Sequence, residues 1–279
     1  MNKYISIFFC VQIIALNLFA MQPKVTPVDY VRPQIDTHKS RWFFFSSASR
    51  PFGMVSLSPD TWTEGSWNSG YLYNSKEIRC FSHVHCWQLA GVPVMPTTGE
   101  VKGHKGMDAY KSTYSHETEI VKPGYHKVEL DTYQIRVELT STSRVGMHRY
   151  TYPAGEKANV LFDVGALLAH GKTEKAAIHR ISSKEIGGYS VLAPTSRRKK
   201  PVTVYFVARF NQNMTAFGGW EKEGKEKKLV HKNSIEGADI GGYASFGKLK
   251  KQTLLMKVGI SYVSEEQARI NLEKELAHW

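Results

Sequence analysis

Apolar and polar residues alternate along much of this chain beyond about residue 52. Tyr133, Ile135, Val137 and Leu139 are separated by Gln134, Arg136 and Glu138, the two-residue period of a strand buried on one face. Val202, Val204, Phe206 and Ala208 repeat the pattern, as do Leu254, Met256, Val258, Ile260 and Tyr262. The shorter apolar runs Val160-Leu161-Phe162 and Tyr189-Ser190-Val191-Leu192 read as further strands. Turn signals stand between them: Pro123-Gly124, Pro153-Ala154-Gly155, Gly187-Gly188, Gly218-Gly219 and Gly241-Gly242. Short strands with turn chemistry and no strand–helix–strand rhythm predict an all-β protein, an antiparallel β-sandwich.

One helix is well signalled, over 264–279. Ser264 caps it, Gln267 follows three residues later, and Glu265 and Glu266 favour its positive N-terminus. Its apolar positions, Ala268, Ile270, Leu272 and Leu276, run on to Trp279. Such a stripe either folds back on the sandwich or packs on something that follows, and the pattern leaves both open. At the other end, Met1-Asn2-Lys3 precedes an apolar run from Tyr4 to Phe19, then Ala20 and the polar Met21-Gln22-Pro23-Lys24. This predicts a signal peptide over 1–20, and with it a periplasmic or secreted mature protein without a membrane anchor. The expected organisation is a signal peptide 1–20, a sandwich domain 21–263 and the helix 264–279.

The length of 279 residues, with 42% hydrophobic and 22% charged positions, fits a sandwich with a sizeable core and argues against disorder. The formal net charge of +12 gathers in Arg197-Arg198-Lys199-Lys200 and between Lys222 and Lys232. Both runs flank or join predicted strands, which makes them solvated hairpin loops rather than a nucleic-acid surface. Cys10 leaves with the signal peptide, so the mature chain keeps Cys80 and Cys86. Two cysteines make no disulfide framework. An extended segment would hold these two beyond bridging distance, so free thiols are expected.

Candidate chemistry concentrates between Asp60 and Gly99. Trp62, Trp67 and Trp87 lie there, three of the six tryptophans, with both mature cysteines, His83 and His85. A pyranose offers apolar C–H faces to aromatic rings and a rim of hydroxyls to polar side chains. Asp60, His83, His85 and Gln88 are expected to supply that rim. His-x-His also has a metal-like spacing, but no third ligand is marked, and no metal site is assigned. No nucleophile elbow is present, and Cys86 beside His85 is no catalytic pair, because neighbouring strand residues point to opposite faces. Asp60, Glu64, Glu100, Asp108, Glu117 and Asp163 are available acids, yet none stands where a raised pKa is signalled. No catalytic residue is assigned.

Val28-Asp29-Tyr30-Val31 and then Pro51-Phe52-Gly53-Met54-Val55-Ser56-Leu57-Ser58-Pro59-Asp60-Thr61 resemble the N-terminal region of glycoside hydrolase family 92, the bacterial α-mannosidases. The resemblance continues through Ser69-Gly70-Tyr71-Leu72-Tyr73, Phe81-Ser82-His83-Val84-His85 and Met95-Pro96-Thr97-Thr98-Gly99. Further blocks are Ser115-His116-Glu117, Pro123-Gly124-Tyr125, Val145-Gly146-Met147-His148-Arg149-Tyr150 and Val258-Gly259-Ile260-Ser261-Tyr262-Val263-Ser264. The chain departs from the family pattern at Gln34-Ile35-Asp36-Thr37, where Phe-Ile-Gly-Thr is usual, at Arg41 to Arg50, and at Leu72, where the family has histidine.

The resemblance implies a β-sandwich joined by a short helical linker to an (α/α)6 barrel, with the active site between them. It implies a calcium-dependent, inverting hydrolysis whose acid Glu, base Asp and calcium belong to the barrel, which is expected to be missing from this chain. The chain is then a truncated or split sandwich half, inactive alone, and its partners are an α-mannoside or N-glycan and a separate barrel domain or chain. The alternative is a free-standing carbohydrate-binding module without hydrolase activity. In members acting on α-1,2-linked mannose, a tryptophan after the His-x-His segment lines the leaving-group pocket, and Trp87 resembles it. His83, His85, Cys86 and Asp60 are the next candidates for substrate contact, followed by Trp67.

Overall fold

A computed structural model describes residues 25–38, 47–63, 70–86, 89–166, 171–196 and 198–279, together with the backbone alone at 86, 89 and 90. The expected signal peptide lies outside them. The chain divides into two compact units, Met1–Val31 and Arg32–Trp279. In the first, the described residues form a single 3-10 turn, Pro27–Tyr30. Thr26 opens it, giving its amide and its hydroxyl to the Asp29 carboxylate at 2.7 and 2.8 Å.

The second unit is a β-sandwich. Among its described residues, one sheet has eight strands in the order Ala48–Ser49, Ser56–Asp60, Cys80–Ser82, Val94–Thr98, Lys157–Phe162, Gly241–Lys248, Ala216–Glu223 and Glu226–Val230. The other has nine: Ser234–Gly237, Thr173–Arg180, Glu185–Leu192, Val202–Phe210, Thr253–Ser261, Val145–Thr151, Ile135–Ser141, Tyr125–Leu130 and Ile120–Lys122. Neighbouring strands in both are antiparallel. The two inner faces meet through aromatic rings. Phe162 of the first sheet stacks on Phe206 of the second, with centroids 6.0 Å apart, and Phe246 meets Phe210 at 4.8 Å. Each such buried side chain contributes roughly 1.5–3 kcal/mol.

The alternation in the sequence is the alternation in the sheets. Ile135, Val137 and Leu139 are buried, and so are Val204, Phe206 and Ala208, and Leu254, Met256, Val258 and Ile260. Tyr133 falls instead in the turn before its strand, and Tyr262 just beyond the end of its own. The glycine pairs 187–188, 218–219 and 241–242 are not turns; they lie within strands. Close packing is the reason. A Cβ on Gly241 would sit 2.1 Å from the Trp220 ring, and one on Gly103 would meet the same ring at 2.2 Å, so the largest buried side chain fits between two residues that have none. The basic run 222–232 forms a hairpin in which Lys228 pairs with Glu223 and Lys232 with Glu221, each at 2.6 Å, while Lys227 reaches Asp239.

The closing helix spans Glu265–Glu275, ending four residues before the predicted end at Trp279 and starting just after its cap, Ser264. Ser264 caps it, its hydroxyl accepting from the Gln267 amide at 3.0 Å. Its apolar face folds back on the nine-stranded sheet: Ala268 and Leu272 pack with Val145 and Val207. The helix stops at Glu275 because Lys257 rises from the sheet and captures the chain beyond it. The Lys257 ammonium donates to the carbonyls of Leu276 (2.7 Å) and His278 (2.8 Å) and lies 4.1 Å from the Trp279 ring centre. Glu275 accepts from the Arg144 amide at 2.8 Å and binds the Arg144 guanidinium.

Gly259 sets how closely this helix lies, since a Cβ there would be 2.4 Å from the Ala268 carbonyl. Gly259→Ala is expected to lift the helix and to cost about 1–3 kcal/mol by overpacking. Urea unfolding checks this, and an unchanged midpoint would show that the helix adjusts freely.

Candidate functional site

Among the described residues, the strands bring Asp60, His83 and His85 of the predicted site near one another. Asp60 faces Cys80, Pro59 faces Phe81, Phe81 faces Val94, and Val94 faces Phe162 across four neighbouring strands. Paired residues point to the same side, and Phe162 points into the sandwich core. Asp60 and Cys80, one position along from Pro59 and Phe81, therefore lie on the outer face of the eight-stranded sheet. Asp163, next to Phe162, follows the same rule. Tyr110, at the end of the short helix Met107–Tyr110, covers this face and donates its hydroxyl to Asp163 Oδ2 at 2.7 Å.

Beyond Ser82 the chain bends at His83 and enters a two-stranded ribbon, Val84–Cys86 paired with Leu89–Gly91 in the register Val84–Gly91 and Cys86–Leu89. Two residues, Trp87 and Gln88, connect the strands. Both histidines work at the foot of this ribbon. The His85 amide donates to Ser56 Oγ (2.8 Å) and its Nδ1–H to the Ser56 carbonyl (2.6 Å). Because that carbonyl only accepts, the proton on Nδ1 is fixed. Nε2 meets Asp60 Oδ1 at 2.7 Å, and the other oxygen of Asp60 accepts from the Cys80 thiol at 3.2 Å. Burial lowers the pKa of His85, but the Asp60 charge and the bonds to Asp60 and Ser56 outweigh it, so the net shift is upward. Burial, reinforced by Asp60, pushes the Cys80 thiol far up, and Cys80 is an unreactive free thiol.

His83 stands in a different chain of bonds. Its Nδ1–H donates to the Val92 carbonyl (2.7 Å), which leaves Nε2 as an acceptor. His148 Nε2 lies 2.8 Å from it, and Tyr150 Oη lies 2.9 Å from His148 Nδ1. Only one proton order satisfies every atom with neutral rings: Tyr150 to His148, His148 to His83, His83 to Val92. Burial is the main cause of both low pKa values, holding His83 at about 4 and His148 well below the ordinary 6.5. The His83 backbone closes the ribbon as well, its amide donating to the Gly91 carbonyl at 3.0 Å.

The placement alters the expected roles. Asp60 and His83 are fully enclosed and His85 is 7% exposed, with both nitrogens of each ring engaged. They anchor the ribbon from beneath and do not present a hydroxyl-binding rim. The two histidines share no metal-like face either, because His83 sits at the bend and its ring turns to His148. Trp87, Trp67 and the side chain of Cys86 lie outside the described residues. The residues on either side of 64–69 are described: Trp62 bridges Gly70, and Thr61 Oγ1 accepts from the Leu72 amide at 2.7 Å.

Three features escaped the sequence reading. His148 and Tyr150 stood in the sequence only within the block of family resemblance at 145–150, with nothing to mark them as partners of His83. Glu119 is buried between His126 (2.9 Å), His116 (2.6 Å) and the Tyr71 hydroxyl (2.9 Å). Burial would raise its pKa, but its bonds and charge interaction with those groups pull it below the usual carboxylate range. Asp163 moves the other way. Burial pushes it up to about 6, against the Tyr110 hydrogen bond and the Lys227 charge, so one acid here does carry a raised pKa.

Comparisons with known proteins fit this arrangement. The profile of the glycosyl hydrolase family 92 N-terminal domain matches residues 30–261. A family GH92 α-mannosidase from Bacteroides thetaiotaomicron, solved in complex with mannoimidazole, is 28% identical with a TM-score of 0.76; the match covers 88% of this chain and 34% of that one. A second structure of that enzyme gives 28% identity and a TM-score of 0.79 over 91% of this chain and 36% of that one. An inverting family GH92 mannosidase of the same organism shares the fold, at 23% identity and a TM-score of 0.73, over 92% of this chain and 34% of that one. The chain thus spans about a third of the length of these solved relatives. No curated protein sequence matches it. The departure at Asp36 keeps the backbone that glycine would give there, with φ at 66°, a conformation aspartate tolerates better than most residues.

The neutral relay makes a pH prediction. Unfolded histidine titrates near 6.5, while folded His83 and His148 stay neutral to lower pH, so the unfolded state binds more protons below 6.5 and stability falls with acid. His83 alone is expected to cost roughly 2 kcal/mol at pH 5. His85, with its raised pKa, acts in the opposite sense: its contribution is full below 6.5 and is lost as pH rises through its folded value. His148→Gln, which can still donate to His83, is expected to lose less stability between pH 7 and pH 5 than the wild type in urea unfolding. Superimposable pH profiles would rule the relay out.

Proposed function

Because the chain belongs to glycosyl hydrolase family 92 through its N-terminal domain, we propose that it is the mannoside-holding part of an exported α-mannosidase. The observation that supports this most is the ribbon 84–91, whose connecting residues include Trp87 and whose foot is fixed by His83, His85 and Asp60. A rigid foot reduces the ordering cost when a sugar stacks on an aromatic side chain. In this reading Trp87 is the stacking platform for an α-1,2-linked mannose, with Cys86 and Trp67 as further substrate contacts, and His83, His85 and Asp60 hold the foot of the ribbon.

Cleavage by inversion needs an acid and a base carboxyl flanking the scissile bond, with room for a water between. The proposal assigns that pair, and the calcium, to a barrel domain of the kind that would fill the remaining length of the solved relatives. Among the described residues no group of three or more His, Cys, Asp or Glu side chains is placed to share a metal ion. The sandwich binds and orients the glycan, and by itself it does not cut it. A free-standing carbohydrate-binding module is the second reading; the helix Glu265–Glu275 favours it by closing its apolar face on this chain's own sheet.

Two measurements test the proposal. The purified chain is expected to bind an immobilised high-mannose glycan and to leave 4-nitrophenyl α-mannoside intact, and Trp87→Ala is expected to weaken binding tenfold or more. Turnover that co-purifies with the chain would overturn the division of labour, and equal binding by Trp87→Ala would remove the ribbon from the site. A folded barrel partner that restores hydrolysis separates the first reading from the second.

A further inference from the structure

A cavity of about 370 Å³ opens beside Asp163, at the lower end of the volumes of small-molecule pockets. It is walled by the 106–107 turn, the residues after strand Lys157–Phe162, the start of strand Thr173–Arg180, Lys227 and the 238–239 loop. No described residue of the 84–91 ribbon lines it. We propose that this cavity is a second carbohydrate subsite, which takes one neutral pyranose unit of a glycan.

Its polar groups are held in place. Asp163 Oδ2 is occupied by the Tyr110 hydroxyl, and Tyr110 is fixed in turn by Tyr133, whose hydroxyl donates to the Tyr110 carbonyl at 2.9 Å. The other oxygen of Asp163 remains to accept from a ligand. Lys227 Nζ holds Asp239 Oδ1 at 2.5 Å and keeps further N–H donors. Thr173 Oγ1, in the wall, is buried without a hydrogen-bond partner. Met107, Ala166 and Ala238 give the cavity its apolar lining for a C–H face.

Charge selects the ligand class. Asp163 and Asp239 stand with Lys172 and Lys227, so the wall carries two acids and two bases. An anion would meet two carboxylates, and a cation two ammoniums. A neutral diol uses both, since one hydroxyl can donate to Asp163 while it or its neighbour accepts from Lys227. A buried carboxyl with a perturbed pKa inside a cavity is also a common mark of a binding site.

The sugar class is that of the proposed function, so the experiment must separate the two sites. The full chain is titrated with methyl α-mannoside while backbone amides are followed by two-dimensional NMR. Saturable shifts of Gly165, Ala166, Thr173 and Ala238, with roughly millimolar affinity, are expected. Asp163→Asn, which keeps the acceptor for Tyr110, and the surface change Lys227→Met should each weaken this response tenfold or more. Trp87→Ala should leave it intact. Shifts confined to 84–91 and lost in Trp87→Ala would overturn the second subsite and leave the ribbon reading standing; shifts at the cavity alone would do the reverse. Saturation of the cavity by inorganic phosphate or calcium chloride, with no response to the mannoside, would overturn it too.

Discussion

The buried pair of Asp60 and His85 governs this part of the molecule. Moving two charges out of water costs several kcal/mol per ion, and pairing recovers this only when every remaining donor and acceptor is also satisfied. Here the Ser56 carbonyl takes the second N–H of the ring and the Cys80 thiol takes the second oxygen of the carboxylate. Those bonds tie together two strands and the foot of a ribbon. A shift of any one of them would leave a buried polar atom alone, so the ribbon is held in one place by the price of leaving it. The neighbouring relay from Tyr150 to Val92 does the same with uncharged rings, and burial keeps them uncharged.

Two carboxyls on one sheet face illustrate how environment sets role. Asp60 meets an imidazole and a thiol, with no opening to solvent. Asp163 meets a phenol and borders a cavity, and burial raises its pKa. The first arrangement consumes its hydrogen-bonding capacity inside the fold. The second keeps some in reserve. A structural anchor and a candidate binding group thus sit within one polar stripe, and partner supply alone separates them.

The sandwich that carries them depends on close approach. Glycines inside strands admit Trp220 on one sheet and the closing helix on the other. Just beyond the helix, Lys257 of the neighbouring strand takes the carbonyls of Leu276 and His278.

The fold was largely legible in the sequence, because a two-residue period has one physical meaning in a half-buried strand. Ile135 to Leu139, Val204 to Ala208 and Leu254 to Ile260 alternate in the sheets as they do on the page. The Ser264 cap was legible for the same local reason, a side chain answering an amide three residues on. The family was legible too, since ordered blocks from Val28 to Ser264 carry it. What the sequence could not decide was direction and partner. His83 and His85 share a spacing but not a face, because the chain bends between two strands. The paired glycines look like turns until a tryptophan or a neighbouring strand is seen to need their room. Nothing around Asp163 in the sequence marks it as buried; Tyr110, which covers it, lies 53 positions away. Periodicity and capping are local properties that neighbours in sequence determine, whereas burial, proton order and the sharing of charge arise between residues that only the tertiary structure brings together.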